Sequence, residues 1–201
     1  MKLGVLVSGS GTNLQTILDA QASGDLGGAQ VAVVVSSRPG VRALARAEAA
    51  GVPALAIDHR GFPTRALFED ELIAALAGHG VELVALAGFM RVLTPHFLRA
   101  YPDRVVNIHP ALLPAFAGVD AQKQALDYGV KVTGVTVHFV DEGTDTGPII
   151  AQMPVPVLDD DTVETLQARI LSHEHALYPR VLAALAEGRV TRVGRRVHVR
   201  P

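Results

Sequence analysis

The chain contains no cysteine among its 201 residues. That excludes a disulfide framework, a thiol nucleophile and any cysteine-ligated zinc or iron–sulfur centre. Long apolar runs are missing as well. No stretch reaches ~18 residues without a charge, so none is expected to cross a bilayer. The opening "MKLGVLVSGSGTN" has too short an apolar run for a signal sequence and passes straight into a glycine turn. Net charge is only −2, which gives no general attraction to nucleic acid or to anionic lipid. The nucleotide-triphosphate signature GxxxxGK[ST] is absent. These absences lead to the expectation of a cytoplasmic protein, monomer or homodimer, that handles small molecules. One local departure is "GRVTRVGRRVHVRP", with five arginines. A solvated hairpin or tail and a phosphate-contacting arm both remain open for it.

What is present is an alternation of apolar strands and helices. "LGVLVS" (Leu3–Ser8) and "VAVVVSS" (Val31–Ser37) read as buried parallel strands, followed by "VPALAI", "VELVALAGF" and "RVVNI". Between them run "NLQTILDAQ", "VRALARAEAAG" closed by Gly51, and a helix capped by Thr64. This order predicts a doubly wound α/β fold with a mostly parallel sheet and helices on both faces. After Ile108 the pattern changes. Val132–Val140 and Pro148–Val157 read as an antiparallel pair that makes the sheet mixed. One long helix follows, capped at Asp161 or Thr162 and kinked near Pro179. With no repeats and no linker, one domain over 1–201 is expected, with a Rossmann-like half (1–108) and a second half (109–201). A chain of this length can bury roughly 70% of its unfolded surface.

Three stretches carry candidate chemistry. In "SGSGTNLQ" (Ser8–Gln15), glycines let backbone N–H groups turn toward an anion at a helix N-terminus, and Thr12 and Asn13 add donors. A plain tight turn is the alternative. The dinucleotide fingerprint is incomplete, because Leu14 stands where its last glycine belongs and "SSRPG" follows the second strand in place of an acid. Arg38 in that segment keeps an NADP-dependent oxidoreductase open. In "NIHP", Asn107 and His109 are two apart at the C-terminal end of a strand, so they point the same way. An amide and an imidazole aimed together can hold an oxyanion. In "DEGTDTGPII" (Asp141–Ile150), one carboxylate placed against His109 would raise its pKa. No metal is expected. The histidines of "HEH" (His173–His175) lie ~200° apart on a helix and cannot share one ion.

Taken in order, "SGSGTNLQ", "AGFMRVLTPHFL", "NIHPALLP", "GVTVHFVDEGTDTGPIIAQ" and "HEHALYP" resemble the glycinamide ribonucleotide formyltransferase family over almost the whole chain. The resemblance implies the formyltransferase fold. It also implies transfer of a formyl group from 10-formyltetrahydrofolate, a co-substrate, to the amine of glycinamide ribonucleotide in purine synthesis. It implies Asn107, His109 and Asp145 as catalytic residues. The ribonucleotide would rest on Gly11, Thr12, Asn13 and Glu174. The folate would lie along Met90, Arg91, Val92, Leu93, Asn107 and the loop Asp141, Glu142, Gly143, Thr144, Asp145, with Arg65 and Arg91 meeting its glutamate tail. Some family members carry a polar residue where Leu171 stands. Formyltetrahydrofolate hydrolase and other folate-dependent formyltransferases share the Asn-His-Asp set. Such relatives are expected to need an additional domain for which this chain has no room, and the "GSGTN" cradle argues for the ribonucleotide.

Overall fold

Short apolar segments joined by right-handed crossovers can bury both of their faces only if helices cover each side. The computed structural model, which describes residues 1–201, has that arrangement. Strands β1 (Lys2–Val7), β2 (Gln30–Ser36), β3 (Ala54–Ala56), β4 (Leu83–Leu86) and β5 (Val105–His109) run parallel. Strands β6 (Val132–Phe139) and β7 (Ile149–Pro156) are antiparallel, giving one sheet in the order β3-β2-β1-β4-β5-β6-β7. The mixed sheet expected from the sequence is therefore the sheet observed.

Alternate residues of each strand feed two cores. On one face, Val5, Ala85, Val106 and Val137 meet α1 (Thr12–Ser23), α2 (Arg42–Ala49) and the long α6 (Val163–Ala186). On the other face, Leu6, Val84, Leu86 and Val105 meet α3 (Arg65–Gly78) and α4 (Pro95–Ala100). Asn107 and His109 share the parity of Val105, so they lie on this second face. Neither α3 nor α4 extends over β5 and β6 there. Loops cover those strands instead, and the loops bring polar groups.

Threonine side chains cap the starts of three of the six α-helices. Thr64 Oγ1 accepts from Leu67 N–H as expected. Of the two candidate caps for α6, the structure uses Thr162, in a reciprocal box with Thr165. The helix continues through Pro179, where one backbone donor is missing. Two helices went unpredicted: α4, and α5 (Ala121–Tyr128). The first is announced by Thr94 before Pro95, a cap followed by proline at the first helical position. The second is closed by Gly129. The arginine-rich segment is a hairpin of β8 (Val190–Val193) and β9 (Arg196–Val199), as one of its two readings had it. No helix is long and apolar enough to cross a membrane.

Tyr178 ties α6 to the sheet. Its ring is fully buried, and its hydroxyl donates to the carbonyls of Leu86 (2.9 Å) and Val106 (3.2 Å), one on β4 and one on β5. Burial pushes the phenol pKa upward, so it remains a donor. Tyr178→Phe is expected to cost about 1–2 kcal/mol, a fall in Tm of roughly 3–6 °C. An unchanged Tm in a thermal melt would mean that packing alone holds α6.

Candidate active site

Three segments meet over β5 and β6. Asn107 pairs with His138 across the β5–β6 ladder, and His109 pairs with Thr136. All four project to the same side. Thr136 Oγ1 donates to the Ala111 carbonyl (2.7 Å) and accepts from Leu113 N–H (3.0 Å), which pins the "NIHPALLP" turn to β6. Pro110 and Pro114 restrict the backbone of this turn, and a buried threonine of the neighbouring strand fixes it further.

The loop after β6 delivers Asp145 into this group. Gly147 allows it: a Cβ there would lie 1.7 Å from the Phe139 carbonyl oxygen, so only glycine fits the return of the chain against β6. Asp145 itself has φ 54°, a left-handed conformation. Its Oδ2 accepts from Gly118 N–H (2.8 Å) and lies 3.3 Å from His109 Nδ1. Its Oδ1 accepts from Asn107 Nδ2 at 3.5 Å and lies 3.6 Å from His138 Nε2. Burial pushes the carboxyl pKa up. The hydrogen-bonding histidine, the Gly118 N–H and the two nearby imidazoles outweigh burial, and the net direction is down.

His109 departs from expectation. Asp145 favours its charged form, as anticipated, but desolvation is the larger effect and its pKa falls. The expected upward direction is therefore wrong for the free protein, because a histidine only 4% exposed loses more hydration than one carboxylate returns. Its Nε2 faces the carbonyl oxygen of Phe116 at 2.8 Å. Phe116, like Asp145, has a positive φ (55°).

His138 was missed by the sequence reading. Its Nδ1 donates to the Phe139 carbonyl (2.8 Å), and its Nε2 is 3.3 Å from Asn107 Nδ2. The ring thus lies between the Phe139 carbonyl, the Asn107 amide and the Asp145 carboxylate. Its signal was legible: Thr136 and His138 are polar residues at alternate positions of an apolar strand.

The first βα turn lies at the C-terminal edge of the sheet. Gly11 caps α1 with φ 72°, and a Cβ there would lie 2.7 Å from the Ala43 Cβ on α2. The turn thus needs glycine for helix packing as well as for backbone approach to an anion. Arg46 braces it, donating to the Ser10 carbonyl (2.9 Å) and to Gln15 Oε1 (2.8 Å). Asn13 Nδ2 donates to Glu174 Oε2 (2.8 Å), joining α1 to α6. The Asn13 Oδ1 is buried without a partner. Glu174 lies one helical turn before Tyr178, and burial raises its pKa to about 7 against a smaller opposing effect from Asn13.

The β4 loop runs beside these groups, since Leu86 and Asn107 are paired neighbours. Met90 N–H donates to Ser8 Oγ (2.9 Å), and Ser8 Oγ meets Ser37 Oγ at 2.7 Å. Met90 and Val92 are exposed apolar side chains at 63% and 55%, while Leu93 is buried. Arg65 and Arg91 are exposed and pair with no acid; Arg91 Nε donates to the Met90 carbonyl. Glu142, Gly143 and Thr144 are exposed, and Asp141 closes the loop on itself by accepting from Gly143 N–H and Thr146 Oγ1. Arg38 is exposed in the turn after β2. His173 is used by the Arg169 carbonyl, and His175 Nε2 is buried without a partner. Two other cavities, about 630 and 680 Å³, include none of Asn107, His109 and Asp145.

Residues 1–182 match the family model described as formyl transferase. The chain belongs to the formyl transferase family. It is 50% identical over 194 residues to phosphoribosylglycinamide formyltransferase of Mycobacterium tuberculosis (strain ATCC 25618 / H37Rv), covering 96% of this chain and 89% of that protein. It is 49% identical to the trifunctional purine biosynthetic protein adenosine-3 of Drosophila melanogaster, covering 93% of this chain but only 14% of that much longer relative. The crystal structure of glycinamide ribonucleotide transformylase 1 from Symbiobacterium toebii superimposes with a TM-score of 0.97 at 52% identity, over 99% of this chain and 93% of that one. The formyltransferase fold expected from the sequence is therefore the one present.

Glu174 links this site to stability. Its folded pKa lies above the usual 4.5, so its contribution is full below pH 4.5 and is lost as pH rises through about 7. Relative to Glu174→Gln, the native protein is expected to lose roughly 3 kcal/mol between pH 4.5 and 8. Parallel urea-melt curves for the two proteins across that range would show that Glu174 titrates normally. Gly11→Val is expected to lower stability by about 2 kcal/mol or more through strain and the clash with Ala43. A wild-type denaturation midpoint would contradict the packing argument.

Proposed function

We propose that the protein transfers the formyl group of 10-formyltetrahydrofolate to the amine of glycinamide ribonucleotide. The observation that carries this reading is the meeting of Asn107, His109 and Asp145, from two segments distant in sequence, at the same edge of the sheet as a glycine turn suited to phosphate. Relatives of similar length bearing the name phosphoribosylglycinamide formyltransferase support it. Residues 1–201 act in this reading as one catalytic domain on small molecules, with no nucleic acid or membrane partner.

The ribonucleotide phosphate rests on the backbone of Gly11, Thr12 and Asn13 at the α1 N-terminus. Its amine lies toward Glu174, whose raised pKa suits it to accept a proton from an ammonium group near neutrality. The folate lies along Met90–Leu93 and the 141–145 loop. Exposed Met90 and Val92 offer apolar contact to its flat ring, and Arg65 and Arg91 offer charge to its glutamate tail.

In the transfer step, the neutral amine attacks the formyl carbon, and the carbonyl π pair moves to oxygen. Asn107 Nδ2 and His109 hold that oxyanion. His109 Nε2 must first exchange the Phe116 carbonyl for the substrate oxygen. The attacking nitrogen then loses a proton and the folate nitrogen gains one; the oxyanion pair re-forms the carbonyl as the carbon–nitrogen bond to the folate breaks, leaving the formyl group on the amine. The burial that keeps His109 neutral is opposed once an oxyanion joins Asp145 nearby, so the ring gains affinity for a proton as charge develops. Holding both substrates side by side supplies the orientation.

A spectrophotometric assay of the folate product, with and without the ribonucleotide, tests the reading. Turnover only with the ribonucleotide is expected; turnover without it would indicate a hydrolase. Asp145→Asn is expected to lower kcat at least ~10-fold and to shift the basic limb of the pH profile to lower pH. An unchanged rate at every pH would remove Asp145 from the mechanism.

A further inference from the structure

The C-terminal hairpin lies beyond residue 182, where the match to the family model ends. Four of its five arginines are engaged. Arg189 Nη1 donates to the Arg200 carbonyl (2.9 Å), and Arg200 Nη2 donates to the Gly188 carbonyl (2.8 Å), which closes the base of the hairpin. Val190 and Val197 pack against the main core. Arg192 pairs with Asp103, in the turn that leads into β5. At the tip, Arg195 Nη2 donates to the carbonyl of Thr146 at 2.7 Å. Arg196 engages nothing by hydrogen bond or ion pair.

Thr146 directly follows Asp145. The backbone of residues 141–146 makes one hydrogen bond to another part of the chain, and that bond is the one from Arg195. The loop's other bonds are internal, through Asp141, or are made by the Asp145 carboxylate. Its C-terminal side is jammed at Gly147 against Phe139, whereas its outer side is exposed. The hairpin therefore touches both segments that build the site: the approach to β5, which carries Asn107 and His109, and the loop that carries Asp145.

We propose that this hairpin is a positioning device for formyl transfer, in which Arg195 holds the Asp145 loop from outside while Arg192 anchors the hairpin to the entry of β5. The proposal rests on the function proposed above. Arg195 touches neither reacting group; it sets how often the loop occupies its ordered form. A folate that needs the ordered loop binds with an apparent affinity reduced by the fraction of time the loop spends away from it. The arginines spent on these contacts are not free for a phosphate-contacting arm.

The test compares Arg195→Ala, Arg195→Lys and Arg196→Ala with the native protein. Hydrogen–deuterium exchange of residues 141–147 is read beside Tm and the KM of each substrate. In Arg195→Ala, exchange in the loop should rise several-fold and the KM for 10-formyltetrahydrofolate should rise about 3–10-fold. Tm and the ribonucleotide KM should stay at their native values. Arg195→Lys, which keeps a donor, should recover most of the difference, and Arg196→Ala should behave as native. Native exchange in the Arg195→Ala loop would overturn the brace. Faster exchange with native folate kinetics would overturn its role in the reaction, as would a fall in Tm with equal losses for both substrates. If the native protein transfers no formyl group, it is the functional reading that fails, and the exchange measurement still decides the brace.

Discussion

The Asp145 carboxylate is the contact on which the site depends. It is reached by a backbone N–H from the loop after β5, an amide from β5, and one imidazole each from β5 and β6. No single segment could place those groups around one anion. They converge because β6 turns antiparallel beside β5, setting His138 opposite Asn107. A further parallel crossover would have laid a helix over that face. The antiparallel return leaves it to loops, which can carry a charge inward at the cost of a left-handed aspartate and a glycine pressed against a carbonyl.

The same topology separates the two proposed substrates without moving them far apart. Connections from β1 and β4 leave these neighbouring strands toward opposite faces, which is where open α/β sheets form a crevice. The phosphate turn follows β1 and the proposed folate loop follows β4. Ser8 joins them, since its hydroxyl accepts from Met90 N–H while its own chain continues into the glycine turn. Tyr178 then fixes α6, and with it Glu174, to the backbone of β4 and β5.

Much of this was legible in the sequence because it depends on local pattern. Apolar runs of strand length with glycine between them specify β1 to β5, and the change after Ile108 specifies the antiparallel pair. The spacing of Asn107 and His109 specifies their shared direction. Groups that act through tertiary return were not legible. Nothing local says that the Phe116 carbonyl will meet His109, that Gly118 N–H will meet Asp145, or that Arg195 will reach Thr146 across 49 positions. The sign of the His109 shift failed for a related reason. A carboxylate can be guessed from sequence, but depth of burial is set by how α3, α4 and the loops divide one face of the sheet.

That burial gives the free site an economical distribution of charge. Desolvation acts in opposite directions on its acid and its base, raising Glu174 to about 7 and lowering His109. Near neutral pH Glu174 is divided between its acid and carboxylate forms, burial favours the neutral His109 ring, and Asp145 is kept low by its donors and stays charged. Under the proposed reaction each of the two groups has a proton to receive. An amine that arrives protonated can pass its proton to the carboxylate form of Glu174, which becomes neutral as the nucleophile is released. An oxyanion formed beside His109 adds to the field of Asp145 and draws a proton onto the ring. Asp145 and the ionised fraction of Glu174 carry charge before substrate arrives, whereas the charge that draws a proton onto His109 develops during the transfer itself.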